Sequence, residues 1–107
     1  MAFPSLPSKV GNPAVFTKGD KQWQSEVIDE IVRVVSNDPN TTVCLQKLQF
    51  ESDGHIEIRF CYYYYTDDEK WTFMRQAPYM PLQDFQAMIY EAVRKGWISV
   101  SNSSIGS

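Results

Sequence analysis

Apolar residues recur at helical spacing between Lys21 and Ser36. Trp23, Val27, Ile31 and Val34 fall four, four and three positions apart, with Ile28 and Val35 widening the stripe, which predicts an amphipathic helix. Asp20 stands where an N-cap carboxylate would accept a free backbone N–H. Asp38-Pro39 would stop the helix, because the residue before proline avoids the α region. Glu26, Asp29, Glu30 and Arg33 would form its solvated face. The period then changes. Strands are predicted over Thr41 to Phe50, His55 to Tyr65 and Lys70 to Ala77. In the second, Ile56, Ile58, Phe60, Tyr62 and Tyr64 alternate with His55, Glu57, Arg59, Cys61, Tyr63 and Tyr65, the two-residue period of a strand with distinct faces.

Turn chemistry sets the expected register. Ser52-Asp53-Gly54 suits a three-residue hairpin with Gly54 left-handed, pairing Phe50 with Ile56 and Leu48 with Ile58. The Thr66 to Glu69 turn would pair Tyr64 with Trp71 and Tyr62 with Phe73; such aromatic pairs contribute ~0.2–1 kcal/mol each. A second helix opens at Pro81, whose ring suits the first helical position. Leu82, Phe85, Ile89 and Ala92 form its stripe, Arg94 and Lys95 complement its dipole, and Gly96 caps it ahead of Trp97. The expected fold class is therefore α+β: helix, three-stranded antiparallel meander, helix, with an irregular N-terminal arm and a frayed C-terminus. Residues 1–19 hold Pro4, Pro7, Pro13, Gly11 and Gly19 and read as the arm, docked through Phe3, Leu6, Val15 and Phe16. Residues 20–99 form the single domain, and 100–107, rich in Ser and Asn, a disordered tail.

In that register one sheet face is core: Leu48, Phe50, Ile56, Ile58, Phe60, Tyr62, Tyr64, Trp71 and Phe73. The other carries Val43, Leu45, Lys47, Arg59, Cys61, Tyr63, Tyr65, Thr72, Met74 and Gln76. It is too polar for a buried layer and too apolar for an ordinary solvated one, the composition of an interaction surface. The candidate binding residues are Lys47, Arg59, Tyr63, Tyr65, Thr72, Met74 and Gln76. Three readings fit: one of the chain's own segments covers the face; a protein partner or second copy docks there, since Tyr, Met and Arg are enriched in interface cores; or single-stranded nucleic acid stacks on Tyr63 and Tyr65, with Lys47 and Arg59 near the phosphates. Between Thr41 and Tyr79 there are four basic and six acidic residues, which weighs against the third, because phosphate binding draws on Lys and Arg. The leading expectation is a non-catalytic protein-binding module, with a homodimer as one form of it, and single-strand binding is the alternative.

The strand Ile56-Glu57-Ile58-Arg59, the aromatic run ending at Tyr65, the acidic turn, and Pro81 to Gln86 opening a helix with Phe85 resemble the PC4-type transcriptional coactivators. That resemblance implies a curved antiparallel sheet followed by a long helix, dimerisation, and single-stranded DNA binding with Arg59 as a backbone contact. The Lys/Gly-rich stretch before that family's last helix is absent; here it reads Arg75-Gln76-Ala77-Pro78-Tyr79-Met80.

Composition narrows the remaining classes. The 107 residues carry a net charge of -3 and 14% aromatics, and suit one domain. Two cysteines, no charged start with an apolar run, and no long apolar stretch point to a soluble, cytoplasmic protein without membrane contact. The expected registers place Cys44 and Cys61 on opposite faces. His55 is the only histidine and sits at a strand end. Neither cysteine has the neighbours a zinc site needs, and no Gly-rich phosphate loop is present. Asp67, Asp68 and Glu69 keep a hairpin solvated. Asp53 with Glu57-Ile58-Arg59 is only a degenerate version of a nuclease acid cluster. No enzyme activity, cofactor or metal is expected.

Overall fold

The structure, a computed structural model, describes residues 3–99. Five strands, β1 (Pro13–Lys18), β2 (Lys21–Val35), β3 (Asp38–Phe50), β4 (Ile56–Tyr65) and β5 (Trp71–Met74), precede one helix, α1 (Leu82–Arg94). The strands pair antiparallel in sequence order as a single meander, curled into a half-barrel. This overturns the helix–three strands–helix reading. The predicted tail at 100–107 lies outside the described residues.

The segment predicted as the first helix is the longest strand. Six of the nine residues from Val27 to Val35 are β-branched, stiff side chains that favour the pleated surface. The four-residue spacing that imitates a helix has another origin. Val27 pairs with Leu48 and Asp29 with Lys47, leaving Ile28 as an extra residue. Such a bulge reverses the alternation, so Val27 faces one side of the sheet while Ile31 and Val35 face the other. Both sets are buried, in separate clusters. Residues Pro13–Lys18, assigned to the arm, are strand β1 and pair with Lys21–Glu26.

Both expected registers move by one residue. Phe50 N donates to His55 O at 3.0 Å and Gly54 N to Phe50 O at 2.8 Å, closing a loop one residue longer than expected. Asp53 Oδ1 accepts the His55 N–H, and the His55 ring stacks on Phe50. Leu48 consequently opposes Glu57, Lys47 opposes Ile58 and Cys44 opposes Cys61. In the next hairpin Thr66 N donates to Lys70 O, so Tyr65 opposes Trp71 and Tyr63 opposes Phe73. A one-residue slip exchanges the faces of a strand relative to its neighbour. The two cysteines therefore share a face, and the Leu48 and Ile58 rows lie on opposite sides.

One face is covered by the helix. Met88 and Ala92 pack on Ile31, Val35 and Val43, with Leu45, Tyr62, Met80 and Trp97 around them. The first turn is held by Asp84, which is fully buried. It accepts Arg33 Nε at 2.9 Å, Ser36 N at 3.0 Å and Ser36 Oγ at 2.9 Å. The Ser36 backbone N–H, with the Ser36 hydroxyl and Arg33, holds its carboxyl below the ordinary range against the opposing effect of burial. At the other end Gly96 is left-handed (φ 80°), and Trp97 N donates to Ala92 O, the hydrogen bond of a glycine-terminated helix. Asp29, beside the bulge, accepts Lys95 Nζ at 2.8 Å and Trp97 Nε1 at 3.1 Å.

The other face is covered by residues 3–12. Gly11 N donates to Val27 O, and Val27 N to Asn12 O. Leu6 packs on Cys44, Cys61 and Tyr63. Lys9 N donates to Glu30 Oε1, Trp71 Nε1 donates to Pro4 O, and the Phe3 ring meets Tyr65. Phe3, Leu6 and Phe16 thus touch this face, whereas Val15 is exposed. Below the arm lies a second apolar cluster of Ala14, Val27, Leu48 and Phe50, with Phe16.

Candidate functional site

The binding residues expected from sequence are divided by the corrected register. Arg59, Tyr63 and Tyr65 lie on the arm face. Lys47, opposite Ile58, and Thr72 and Met74, opposite Tyr64 and Tyr62, lie on the helix face. Gln76 joins the latter group, as its Oε1 accepts from the Tyr62 hydroxyl at 3.1 Å. The structure does not bring the seven together.

On the arm face each of the three is already engaged. Arg59 Nε and Nη2 donate to Gln46 Oε1 at 2.9 and 2.6 Å, and the guanidinium lies against Phe16 and Phe73. Tyr63 is buried, under Lys9 and against Phe73. Burial pushes its phenol up. Tyr65 is in contact with both Phe3 and Trp71. Beside Arg59 stand Cys44 and Cys61, both buried with free thiols. Glu30 opposes Gln46, and its Oε2 is buried with no hydrogen-bond partner among the described residues. Glu30, Gln46 and the facing cysteines were not identified from sequence. The one signal that could have found them is the longer β3–β4 loop, which puts Cys44 opposite Cys61.

On the helix face α1 covers the β2–β3 half and leaves the outward row of β4 open. Ile56 and Ile58, assigned to the core by the expected register, are 43% and 50% exposed. Phe60 is also exposed and meets the half-open Phe85 ring of the helix. Toward the end of β4 this row runs into a groove of about 800 Å³ between the β2–β3 turn, β5 and the chain entering α1. Tyr62, Tyr64, Tyr79, Met74 and Met80 line it, with Asp38 among them. Tyr79 is 89% exposed. Asp38 Oδ2 accepts the Thr41 hydroxyl at 2.9 Å, which orients the carboxylate. The β4–β5 turn at this end of the sheet adds Asp67, Asp68 and Glu69 against Lys70 alone.

His55 lies between Asp53 and Glu57 on the exposed β3–β4 hairpin. Hydrogen bonds to Asp53 and then Glu57 raise its pKa. Among the described residues no helix is long and apolar enough to cross a membrane. In comparison with known proteins the chain matches no family model, no curated protein and no solved structure.

Proposed function

We propose that this protein is a non-catalytic binding module that docks a partner protein along the outward row of β4. The observation that carries the reading is the run of exposed Ile56, Ile58 and Phe60 beside Phe85, continuous with the tyrosine-lined groove. Contiguous exposed apolar surface of this kind marks interaction sites. Charge selects the occupant: a segment with apolar residues along the row and a Lys or Arg entering the groove. Tyrosine faces attract cations, the long stem of a basic side chain suits Met74 and Met80, and Asp38 with the acidic turn supplies the counter-charge. A reducing, cytoplasmic setting goes with this reading, since two cysteines are fewer than a small secreted domain usually carries.

A synthetic nonapeptide alternating Lys and Leu is expected to bind, with affinity falling as salt is raised, and a Glu/Leu counterpart is not. Ile58→Asp and Tyr79→Ala should each weaken binding about tenfold or more, measured by titration calorimetry. Equal binding of both peptides, or none, would overturn the basic-segment occupant. If sedimentation instead shows a dimer that Ile58→Asp dissociates, a second copy is the occupant of the row.

A curled antiparallel sheet followed by a helix is also the architecture implied by the coactivator resemblance, and that order supports single-strand binding as the second reading. The disposition of charge supports it less, since Arg59 is engaged by Gln46 and Lys47 lies over Trp97. Under this reading a fluorescent single-stranded oligonucleotide binds at low salt and Arg59→Ala weakens it.

A further inference from the structure

We infer that Cys44 and Cys61 are a reversible dithiol–disulfide site, oxidised by small disulfides such as oxidised glutathione and shielded by the N-terminal arm. The argument starts from register. The two residues are directly opposed on neighbouring antiparallel strands, a position at which Cα atoms lie about 4.5–5.5 Å apart. That spacing is inside the range a disulfide spans, so the bond can close without moving the backbone far. The thiols lie together in one buried cluster, and each acts on the other, depressing the Cys61 pKa and raising that of Cys44.

The surroundings distinguish the two sulfurs. The neighbouring Cys44 and, to a smaller extent, Arg59 favour the Cys61 thiolate. The neighbouring Cys61 and then burial hold the Cys44 proton in place. Glu30 disfavours the thiolate at both positions, and Lys9 partly offsets this at Cys44. Cys61 retains a little exposed surface where Cys44 has none and borders the cavity beside Phe16 and Phe73, so it is the attacking sulfur and Cys44 the resolving one. The Cys61 thiolate attacks one sulfur of glutathione disulfide. The S–S bond breaks, a mixed disulfide forms on Cys61 and one glutathione thiolate leaves. Cys44 then gives up its proton and attacks the mixed disulfide at Cys61, releasing the second glutathione thiolate. The protein loses two electrons and two protons, and both are recovered in two molecules of reduced glutathione.

Access is the controlled step. Cys44 has no exposed surface and Cys61 almost none, and Leu6 packs directly on the pair. The arm is held by separate local contacts rather than a continuous strand ladder: Leu6, the two backbone bonds at Val27, Lys9 on Glu30 and Tyr63, Pro4 on Trp71 and Phe3 on Tyr65. Such a segment opens far more readily than the sheet beneath it. Oxidation should follow arm opening rather than global unfolding.

The test treats the folded full chain with oxidised glutathione and follows intact mass and free thiols. The wild type is expected to lose two hydrogens' mass with no glutathione retained. Cys44→Ser should instead keep one glutathionyl group, and Leu6→Ser should oxidise about tenfold faster or more, with circular dichroism confirming that both variants are folded. Reduction by dithiothreitol should restore both thiols. Two thiols that stay free in wild type and Leu6→Ser, while the urea-unfolded chain reacts, would overturn the site. Oxidation at the same rate in both would overturn the shielding role of the arm.

Discussion

Leu48→Ala is expected to lower the unfolding free energy by about 3 kcal/mol, whereas Ile58→Ala is expected to cost well under about 1 kcal/mol. Leu48 is buried under the arm-side cluster with Ala14, Val27 and Phe50. Shortening its isobutyl side chain to a methyl deletes most of the burial term and leaves a cavity that a rigid two-strand neighbourhood fills poorly. Ile58 sits on the other face, half in water. Urea unfolding of the two variants checks the pair, and a drop in thermal midpoint confined to Leu48→Ala should accompany it. The contrast is diagnostic of register. With Leu48 beside Ile58 in one core, the two truncations would cost similar amounts, and that outcome would refute the structure of the β3–β4 hairpin.

The second large effect is at Asp84. Its carboxylate has no exposed surface and accepts three hydrogen bonds that tie the first turn of α1 to the β2–β3 turn. Asp84→Ala should cost about 2–3 kcal/mol at neutral pH, chiefly by leaving the Ser36 N–H without an acceptor. The ion pair adds less, because Arg33 is partly exposed and screened. The pH dependence has a definite sign. The folded-state pKa is depressed, so the stabilisation is complete above the unfolded value of about 3.9 and is lost as pH falls through the folded value. The stability gap between wild type and Asp84→Ala should therefore be widest near pH 7 and narrow steadily below about pH 4. A gap independent of pH from 7 to 2.5 would show that the charge on Asp84 does not matter.

Much of the second half of the chain was legible. The alternation from Ile56 to Tyr65 marks β4 because each residue type repeats every second position, and β4 spans Ile56–Tyr65. Pro81 and Gly96 bracket α1 through backbone chemistry that acts locally. The first half was not. Val27, Ile31 and Val35 are buried at helical spacing only because Ile28 is inserted as a bulge, and apolar spacing alone does not distinguish a bulged, two-faced strand from an amphipathic helix; the β-branched run was the local signal for strand. β1 was hidden in a breaker-rich arm, as Pro13 stands at the start of an edge strand, where proline is tolerated.

The candidate surfaces show the same division. A protein-docking reading of one sheet face came from counting apolar and polar side chains along each row. The face it chose holds Tyr63, which is buried, whereas the row of Ile56, Ile58 and Phe60 that it assigned to the core is exposed. The hairpin loops decided it: a difference of one residue in a turn costs little by itself, yet it inverts every side chain that follows.

What the amino-acid sequence by itself determined is therefore local: that β3 and β4 are strands, that α1 follows Pro81, which is its N-cap rather than its first helical residue, and ends before Gly96, and that the aromatics are unusually dense. These follow from φ restrictions, branched side chains and capping, which act within a few residues. Only the tertiary structure decided that β2 is a strand, that Cys44 faces Cys61, that the arm lies on the cysteines and Tyr63 and that α1 leaves Ile56, Ile58 and Phe60 open. Each of these depends on contacts between residues far apart in the chain, which no local preference specifies.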